Sequence, residues 1–581
     1  MSGDRTNEDV ARMLARLAEL TKFEDASPQS FRVRAYERAA AAIRGSAVDI
    51  TGYDLDELRA ISGVGDGTAK KIVEYLAAGT VGKLDRLQSM YPPEFVKLTR
   101  VPGIGPKTAI LLQERLGVES VEQLRAAVGD ERLRELPGFG PQSEEKIGVA
   151  IERLGLHGEN RRDPIGDVLP IAEYVVARLA GNPAVAAVRY CGSLRRFRDT
   201  IGDVDVLVAS EHPEAVSADF VGLPLVRDVL AHGTTKSVVV TDQGIQIDLR
   251  VVRPDEYGAA MLYFTGNREH NIALRQRAIG RGMLLNEYAL AETDTGDPVA
   301  SRTEAEIYKS LGLPFIPATI REGRGEIEAA EAGVLPALVE VQDLRGDLHV
   351  HSTWSGDGRS TLAEMVAAAA ERGLEYLAIT EHGEDLAING LSREQVLAER
   401  DEINTLRRAY PELTILHGAE LNIGPEGTVD YDDDFLAGFD WCVASVHSHF
   451  DLAVEAQTRR IVRAMEHPSV NVIGHLTGRK IGRRPGIEID VDAVYAAAGE
   501  TGTALEINAH LDRLDVPAEM LFRARGRSGL VFVVSTDAHH TSELGNARWG
   551  VQNAQRGWVE AAHVANTWDS DRFLSWARSK K

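Results

Sequence analysis

The stretch "GDVDVLV", residues 202–208, places two aspartates in a run that otherwise has the composition of a buried strand. Side chains alternate along a strand, so Asp203 and Asp205 share one face and the valines occupy the other. Two neighbouring carboxylates repel each other and are costly to bury unless a cation joins them. The stretch therefore predicts a strand whose polar face binds a cation.

A second acidic strand is predicted from "IQIDLRVV", residues 245–252, where apolar residues alternate with Gln246, Asp248 and Arg250. If the two strands pair, Asp248 joins Asp203 and Asp205. Three carboxylates with water and phosphate oxygens are a ligand set that magnesium prefers. A pair of such ions activates an attacking hydroxyl and stabilises a leaving pyrophosphate, so the pattern indicates phosphoryl transfer.

The surrounding segments carry a family resemblance. A Gly-Ser turn before Asp-x-Asp, in "CGSLRRFRDTIGDVDVLVAS" from residue 191, resembles the nucleotidyltransferase superfamily. The stretch "YFTGNREHNIALRQRAIGRGMLLNEYAL", residues 263–290, resembles the sugar- and base-recognition segment of family X DNA polymerases. The resemblance implies triphosphate contacts from Gly192, Ser193, Arg196 and Gly202, deoxyribose contacts from Tyr263, Phe264 and Gly266, a base contact from Asn271 and a template contact from Arg275.

The N-terminal region contains a repeated Gly-x-Gly turn, "GVG" at 63–65, "GIG" at 103–105 and "GFG" at 138–140, each before a predicted helix. Paired glycines permit a tight turn that brings backbone N–H groups at a helix N-terminus up to a phosphate. The repeat resembles the helix-hairpin-helix motif of DNA repair proteins; the alternative is a set of plain helix connectors. The DNA-contacting glycines would be Gly63, Gly65, Gly103, Gly105, Gly138 and Gly140.

A lyase function is implied for the first hairpin region. Lys71 falls where some family X members keep a Schiff-base lysine. The alternative is an ordinary solvated helix lysine, like its neighbour Lys70.

The C-terminal region predicts a second metal site, since twelve of the sixteen histidines lie from His349 onward. Apolar strands alternate there with helical stretches such as "TLAEMVAAAAERG" and "VDAVYAAAGETG", the pattern of a βα barrel, whose ligands gather at the C-terminal strand ends. The set resembles the polymerase-and-histidinol-phosphatase (PHP) domain, and this implies a 3′→5′ exonuclease. Its nine positions are His349, His351, Asp357, His382, Glu420, His447, His475, Asp537 and His539.

Mixed imidazole and carboxylate ligands suit two or three manganese or zinc ions better than calcium. Two residues depart from the PHP pattern. Gly356 is inserted before Asp357, which would shift Asp357 away from the cluster, and Glu381 replaces the usual aspartate before His382. The alternative is a domain kept for folding, which binds metal with little turnover.

Composition limits the class of protein. The net charge of −23 comes entirely from residues 201–581, so phosphate contacts must be local rather than made by a basic surface. Two cysteines, Cys191 and Cys442, exclude a disulfide framework. We expect a cytoplasmic monomer without a membrane span or signal peptide.

Together these patterns predict a multidomain α/β protein: a helical 8-kDa-like domain (1–85), a helical subdomain with two hairpins (86–160), an α+β nucleotidyltransferase palm (161–260), a nucleotide-selection subdomain (261–320), a linker (321–342) and a distorted βα-barrel PHP domain (343–581). The predicted function is a DNA-directed DNA polymerase that binds gapped or primed DNA and dNTPs, fills short gaps in base-excision or end-joining repair, and trims 3′ ends.

Three alternatives stay open at this point. The first is a nucleotidyltransferase acting on RNA or a small molecule, with a structural PHP domain. The second is a non-catalytic repair scaffold in which both metal sites are structural. The third is a phosphatase of small phosphate esters.

Overall fold

The structure is a computed structural model that describes residues 6–27, 30–44, 49–61, 63–101, 103–154 and 162–580. The chain divides into two compact units, the first comprising Met1–Arg162 with two short segments (242–244 and 482–484) and the second the remaining residues. In the part of the chain that is described, every helix is too short or too polar to cross a membrane. The predicted boundary at residue 160 lies outside the described residues, and the finer subdivisions stay predictions.

The first unit is helical, as predicted. Its core contains only helix-borne and turn-borne apolar side chains, such as Leu14, Phe95 and Leu112. The helices are α1 (Asn7–Glu24), α2 (Phe31–Arg44), α3 (Leu55–Ala60), α4 (Asp66–Ala78), α5 (Gly82–Met90), α6 (Pro93–Lys97), α7 (Pro106–Leu116), α8 (Val121–Gly129) and α9 (Pro141–Leu154).

The second unit begins with an α+β palm. Its elements are β1 (Asp163–Pro164), α10 (Ile165–Ala180), β2 (Ala187–Tyr190), α11 (Gly192–Arg195), β3 (Thr200–Ile201), β4 (Val204–Ala209), α12 (Pro213–Val221), β5 (Val226–His232), β6 (Lys236–Thr241) and β7 (Gln246–Val252). The five-stranded sheet has the order β2-β4-β7-β6-β5. The predicted alternation of β7 is confirmed, because Ile247, Leu249 and Val251 are buried while Asp248 and Arg250 are only partly covered.

A smaller α+β segment follows the palm and contains the predicted nucleotide-selection residues. It consists of α13 (Tyr257–Thr265), α14 (Arg268–Ile279), a three-stranded sheet of β8 (Met283–Leu285), β9 (Leu290–Glu292) and β10 (Pro298–Ala300), then α15 (Glu304–Ser310) and α16 (Glu326–Glu331). Helix α15 begins at a capping box, in which Thr303 accepts the Glu306 backbone N–H and Glu306 accepts that of Thr303.

The C-terminal residues form a parallel seven-stranded barrel domain in the simple order β11 to β17, as predicted. A bridge between Val350 and Ala538 joins the first strand region to the last, so the barrel is nearly closed. The strands are buried on both faces because helices cover the outside and side chains fill the centre. They are β11 (Gly346–Val350), β12 (Tyr376–His382), β13 (Thr414–Asn422), β14 (Trp441–Ser445), β15 (Val472–Gly474), β16 (Ala504–Asn508) and β17 (Phe532–Ser535).

The barrel helices follow the predicted alternation. The two helical stretches quoted from the sequence form α17 and α21, and Gly502 ends α21 with a φ of 68°. The helices are α17 (Leu362–Glu371), α18 (Arg393–Ala409), α19 (Asp433–Leu436), α20 (Val454–Met465), α21 (Val491–Thr501), α22 (Ala518–Arg523), α23 (Ala547–Arg556) and α24 (Ser570–Ser579).

Candidate active sites

The palm brings the three predicted aspartates together. Strands β4 and β7 pair in parallel with Asp205 directly opposite Asp248, and Asp203 immediately precedes β4. Burial, and then the like charges of Asp203 and Asp248, raise the pKa of Asp205 to about 7. Crowded carboxylates of this kind need added positive charge in order to ionise together. The donor set therefore fits a divalent cation.

The glycine of the Gly-Ser turn is required by close packing against this site. Gly192 has a φ of +61°, and a Cβ atom at this position would lie 2.5 Å from Oδ2 of Asp205. The Cys191 backbone N–H donates to the Asp205 carbonyl oxygen at 2.7 Å. The turn is therefore fixed against the acidic strand, and it carries Ser193 and Arg196 beside the carboxylates.

The arginines after this turn, Arg196 and Arg198, are held by one carboxylate, that of Glu322. Arg196 Nε donates to Glu322 at 3.0 Å, and another of its N–H groups donates to the Thr265 carbonyl oxygen. Arg198 donates to the second oxygen of Glu322 at 3.1 Å. Arg196, which the family resemblance assigns to the triphosphate, is therefore oriented before any ligand arrives; sequence reasoning did not find Glu322.

A second buried ion-pair network involves Arg195, the residue before Arg196. Arg195 contacts both oxygens of Glu304, at 3.0 and 2.6 Å, and Arg321 contacts the first of them at 2.6 Å. Burial opposes ionisation of Glu304, but Arg321 and Arg195 outweigh burial and lower its pKa to about 2. The two subdomains are thus joined by charges that stay ionised at neutral pH.

The predicted sugar- and base-recognition residues lie together at the junction of α13 and α14. The rings of Tyr263 and Phe264 meet edge to face, with centroids 5.1 Å apart. Arg275 lies over the Tyr263 ring at 5.3 Å, and Asn271 donates from its side-chain amide to the Tyr263 carbonyl oxygen at 2.8 Å. A Cβ atom at Gly266 would lie 3.3 Å from Arg196, so this turn lies beside the arginine that the resemblance assigns to the triphosphate.

The barrel domain gathers its histidines around Glu420, which is 1% exposed. Its carboxylate oxygens lie close to five imidazoles, namely His382 at 2.8 Å, His475 at 2.9 Å, His447 at 3.2 Å, His349 at 3.5 Å and His351 at 3.6 Å. Three overlapping triads in this cluster have ligand atoms within 4.8 Å of one another. Burial favours a neutral His382, but Glu420 and Asp357 outweigh it and raise its pKa to about 10. The carboxylates thus demand positive charge, and the donor set fits more than one transition-metal ion.

The sequence predicts that the inserted Gly356 shifts Asp357 away from the histidine cluster. The structure instead keeps Asp357 beside it. Asp357 Oδ2 lies 3.3 Å from His382 and 3.6 Å from His539. The Asn389 side-chain amide donates to Asp357 at 2.7 Å, and Gly356 packs so closely that a Cβ atom there would lie 2.7 Å from Asn389. The loop therefore absorbs the extra residue through this contact.

The remaining predicted ligands complete the cluster. Asp537 Oδ1 lies 3.5 Å from His351 and 3.7 Å from His349. Glu381, the other departure, accepts the backbone N–H and the hydroxyl of Ser352 at 2.8 and 2.6 Å. Glu381 thus orients the loop after β11.

Several residues that orient the candidate ligands were missed by sequence reasoning. His349 Nδ1 lies 2.7 Å from Glu506, and His447 Nδ1 lies 2.7 Å from Asn422. Partners of this kind fix the tautomer and ring orientation of a ligating imidazole. A signal was present for Glu506, because a lone acid inside the apolar strand "ALEIN" has to be paired when it is buried.

The three glycine hairpins share one geometry. Gly63, Gly103 and Gly138 have φ values of +88°, +87° and +90°. In each hairpin the residue after this glycine donates its N–H to a carbonyl three residues earlier, as Val64 does to Ile61 at 3.0 Å. The second glycine then caps α4 or α7, or directly precedes α9. The predicted turns are thus present, and they place helix N-termini at the hairpins.

Lys71 lines a cavity of about 750 Å³ in the first hairpin domain. The cavity is bounded by α2, the first hairpin and α4, and its lining includes Phe31, Arg32, Tyr36 and Arg38. Lys71 Nζ donates to the Gly67 carbonyl oxygen at 3.1 Å and lies 5.8 Å from the centre of the Tyr36 ring. Burial, with the positive charge of Lys83 adding to it, lowers the pKa of Lys71.

Two sites define the class of this protein. The five-stranded palm with three converging carboxylates is that of a metal-dependent nucleotidyltransferase. It is fused to a seven-stranded barrel whose histidine-rich cluster is a second candidate metal centre. The comparisons with known proteins agree with this class. Matches were found to the DNA polymerase beta thumb at residues 260–322, the PHP domain at 347–510, a helix-hairpin-helix domain at 5–81 and a tandem helix-hairpin-helix domain at 95–153.

The chain is 37% identical to the DNA polymerase/3′-5′ exonuclease PolX of Bacillus subtilis, over 96% of this chain and 97% of that protein. It is 28% identical to DNA polymerase lambda of Rattus norvegicus, over 52% of this chain and 54% of that protein. A probable phosphatase of Syntrophotalea carbinolica is 36% identical over 28% of this chain and 64% of its own length. The chain belongs to the family X DNA polymerases that carry a C-terminal PHP domain.

Proposed function

We propose that this chain is a DNA-directed DNA polymerase that fills short gaps during repair and also removes nucleotides from 3′ ends. The observation that carries the proposal is the pairing of β4 with β7, which sets Asp205 opposite Asp248 with Asp203 alongside. The ring pair of Tyr263 and Phe264, and Arg196 held by Glu322, would supply the nucleotide contacts that this reaction needs.

In the polymerase reaction, Asp203, Asp205 and Asp248 would hold two magnesium ions, which activate the primer 3′ hydroxyl and stabilise the departing pyrophosphate. The protein supplies orientation. In this proposal Arg196 would present N–H groups to the triphosphate, and Tyr263 and Gly266 would exclude a 2′-hydroxyl. The Asn271 amide, which donates to the Tyr263 carbonyl oxygen at 2.8 Å, would bind the minor-groove edge of the incoming base.

In the exonuclease reaction, the nine-residue cluster of the barrel domain would hold two or three manganese or zinc ions, which generate a hydroxide at neutral pH. Glu506 and Asn422 keep His349 and His447 in one tautomer each. Both reactions act on one substrate, a DNA 3′ terminus, which gives a chemical reason for their fusion. The proposed substrates are gapped or primed DNA and dNTPs, and we propose that the protein acts in the cytoplasm as a monomer.

The proposal is tested with a labelled gapped duplex, incubated with and without dNTPs in magnesium and then in manganese. We expect extension by one or a few nucleotides with dNTPs, and shortening from the 3′ end without them. Extension with ribonucleotides to the same extent would favour the RNA or small-molecule alternative. Release of phosphate from histidinol phosphate without shortening of DNA would replace the exonuclease by a small-molecule phosphatase.

We also propose that Lys71 gives the first hairpin domain a lyase activity on 5′-deoxyribose phosphate. A lowered pKa leaves more of the amine uncharged at neutral pH, and only the uncharged amine adds to an aldehyde. The amine would add to the aldehyde carbon of the sugar, and loss of one water molecule would give a Schiff base. The arginines of the cavity, Arg32 and Arg38, would neutralise the 5′ phosphate.

Lys71→Ala is expected to abolish the covalent protein–DNA adduct that borohydride traps on a 5′-deoxyribose-phosphate end, while gap filling persists. Lys70→Ala is the matched control, because Lys70 is 61% exposed and pairs with Asp66 at 2.9 Å. A trapped adduct that survives Lys71→Ala, or wild-type protein that forms none, would contradict this role.

A further inference from the structure

The loop that connects Arg196 and Arg198 to strand β4 is held by the barrel domain. Asp199 lies in this loop, after Arg198 and before β3. Its two carboxylate oxygens accept hydrogen bonds from different arginines of the barrel domain, Arg479 at 2.7 Å and Arg556 at 2.6 Å. We call these three residues the Asp199 clamp. None of them belongs to the predicted metal or nucleotide sets.

Contacts within the barrel domain also orient the two arginines. Arg479 donates from Nε to the Arg513 carbonyl oxygen at 2.7 Å and from Nη2 to that of Leu514 at 2.5 Å. Arg556, the last residue of α23, is 2% exposed and also lies 3.4 Å from Glu519. Burial opposes ionisation of Asp199, but Arg479 and Arg556 outweigh it and hold its pKa well below the usual value. The clamp is therefore a charged pair of hydrogen bonds at neutral pH, the strong kind in proteins.

Apolar packing surrounds the clamp. Ile481, Leu511 and Leu514 of the barrel domain belong to the same buried cluster as Phe197 and Ile201 of the palm loop. The Ile165 N–H donates to the Asp199 carbonyl oxygen at 2.9 Å, which ties the loop to the start of α10. A Cβ atom at Gly166 would lie 3.1 Å from Asp512, so the two domains are in close contact here.

The clamp lies between two parts of the polymerase site. Arg196 lies three residues before Asp199, and Asp203 lies four residues after it. A connecting segment of this length keeps many backbone conformations unless it is anchored. We propose that Arg479 and Arg556 are positioning residues for nucleotidyl transfer, which act through Asp199 to keep Arg196 and Asp203 in register with Asp205. The inference rests on the proposed polymerase activity and extends it to residues of the PHP domain.

The test uses full-length protein and single-turnover incorporation on gapped DNA. Asp199→Asn keeps the shape of the side chain and removes its charge. We expect its maximal incorporation rate to fall by about tenfold or more, since misplaced catalytic groups cost this much. The 3′→5′ exonuclease rate should stay within about twofold of wild type, because Asp199 contacts no residue of the barrel cluster. Arg556→Met should reproduce the loss, and Arg556→Lys, which keeps the charge, should recover part of it.

Two controls separate positioning from folding. Asp228→Asn alters an aspartate on the exposed strand β5, and Arg523→Gln alters an arginine that is 55% exposed and pairs with Asp492 at the surface. Both should leave incorporation unchanged. If Asp199→Asn does not fold, the comparison of Arg556→Lys with Arg556→Met answers the same question.

Equal loss of incorporation and exonuclease in the clamp variants would overturn the inference, because a structural role predicts that both fall together. Incorporation within about twofold of wild type in Asp199→Asn and Arg556→Met would overturn it as well. The double variant Asp199→Asn/Arg556→Met should be no worse than the poorer single one, since both changes disrupt the same interaction between Asp199 and Arg556. Wild-type protein that incorporates nothing would instead refute the polymerase proposal itself.

Discussion

Asp205→Ala is expected to lower nucleotide incorporation on gapped DNA by about a thousandfold or more, because the trio that would hold the magnesium ions loses one of its three carboxylates. Asp205 is the most informative member of the trio, since burial and two like charges raise its pKa to about 7. A bound cation would offset the repulsion between Asp205 and the other two carboxylates. Degradation from the 3′ end should continue at the wild-type rate, because it depends on the barrel cluster.

The measurement is extension of a labelled primer in magnesium, with the exonuclease assayed on the same preparation in manganese. Asp205→Asn, which keeps the volume of the side chain, should be nearly as defective as the alanine variant. Asp228→Ala, on the exposed edge strand of the same sheet, should extend normally. Loss of both reactions in Asp205→Ala would mean that the two sites are not separate, and undiminished extension would refute the trio as the polymerase site.

Much of the palm was predictable because its signals are periodic. The alternation in β7 identified Asp248 as a residue of the polar face. The spacing of Asp203 and Asp205 predicted that their side chains lie on the same face of a strand. The pairing of β4 with β7 was a conditional step, because β5 and β6 intervene in the chain. Local pattern does not specify which of these strands becomes the neighbour of β4; that choice depends on how the whole sheet packs.

The barrel cluster was predictable for a different reason. Ligands such as His382 and Glu420 stand at or near strand ends, and the topology of a parallel barrel brings such ends together. The orienting residues were harder to find, since Asn422 has no spacing that distinguishes it from an ordinary strand-end amide. Asp199 and Glu322 were missed because a single acid in a loop has no periodicity. Their roles depend on arginines distant in sequence, which only the fold brings near.

Glu420→Gln is expected to lower 3′→5′ degradation by about a thousandfold, because the central carboxylate is lost from the metal cluster. The change keeps the shape of the side chain, so steric disturbance is small. Five imidazoles converge on this carboxylate, at 2.8 Å for His382 and 3.6 Å for His351 at the extremes. The imidazoles hold its pKa well below the usual value despite complete burial. An amide cannot neutralise bound cations, so metal content measured by mass spectrometry should fall with activity.

Incorporation on gapped DNA should survive this change, since Glu420 lies in the barrel and contributes nothing to the palm trio. Glu412→Gln is the matched control: it alters an exposed glutamate just before the same strand, β13, and should leave both reactions intact. If Glu420→Gln shortens DNA as fast as wild type, the exonuclease does not use the cluster. If it loses incorporation as well, the cluster has a structural role in the whole chain. Loss of degradation alone, with metal loss, is the outcome that assigns hydrolysis to the barrel domain.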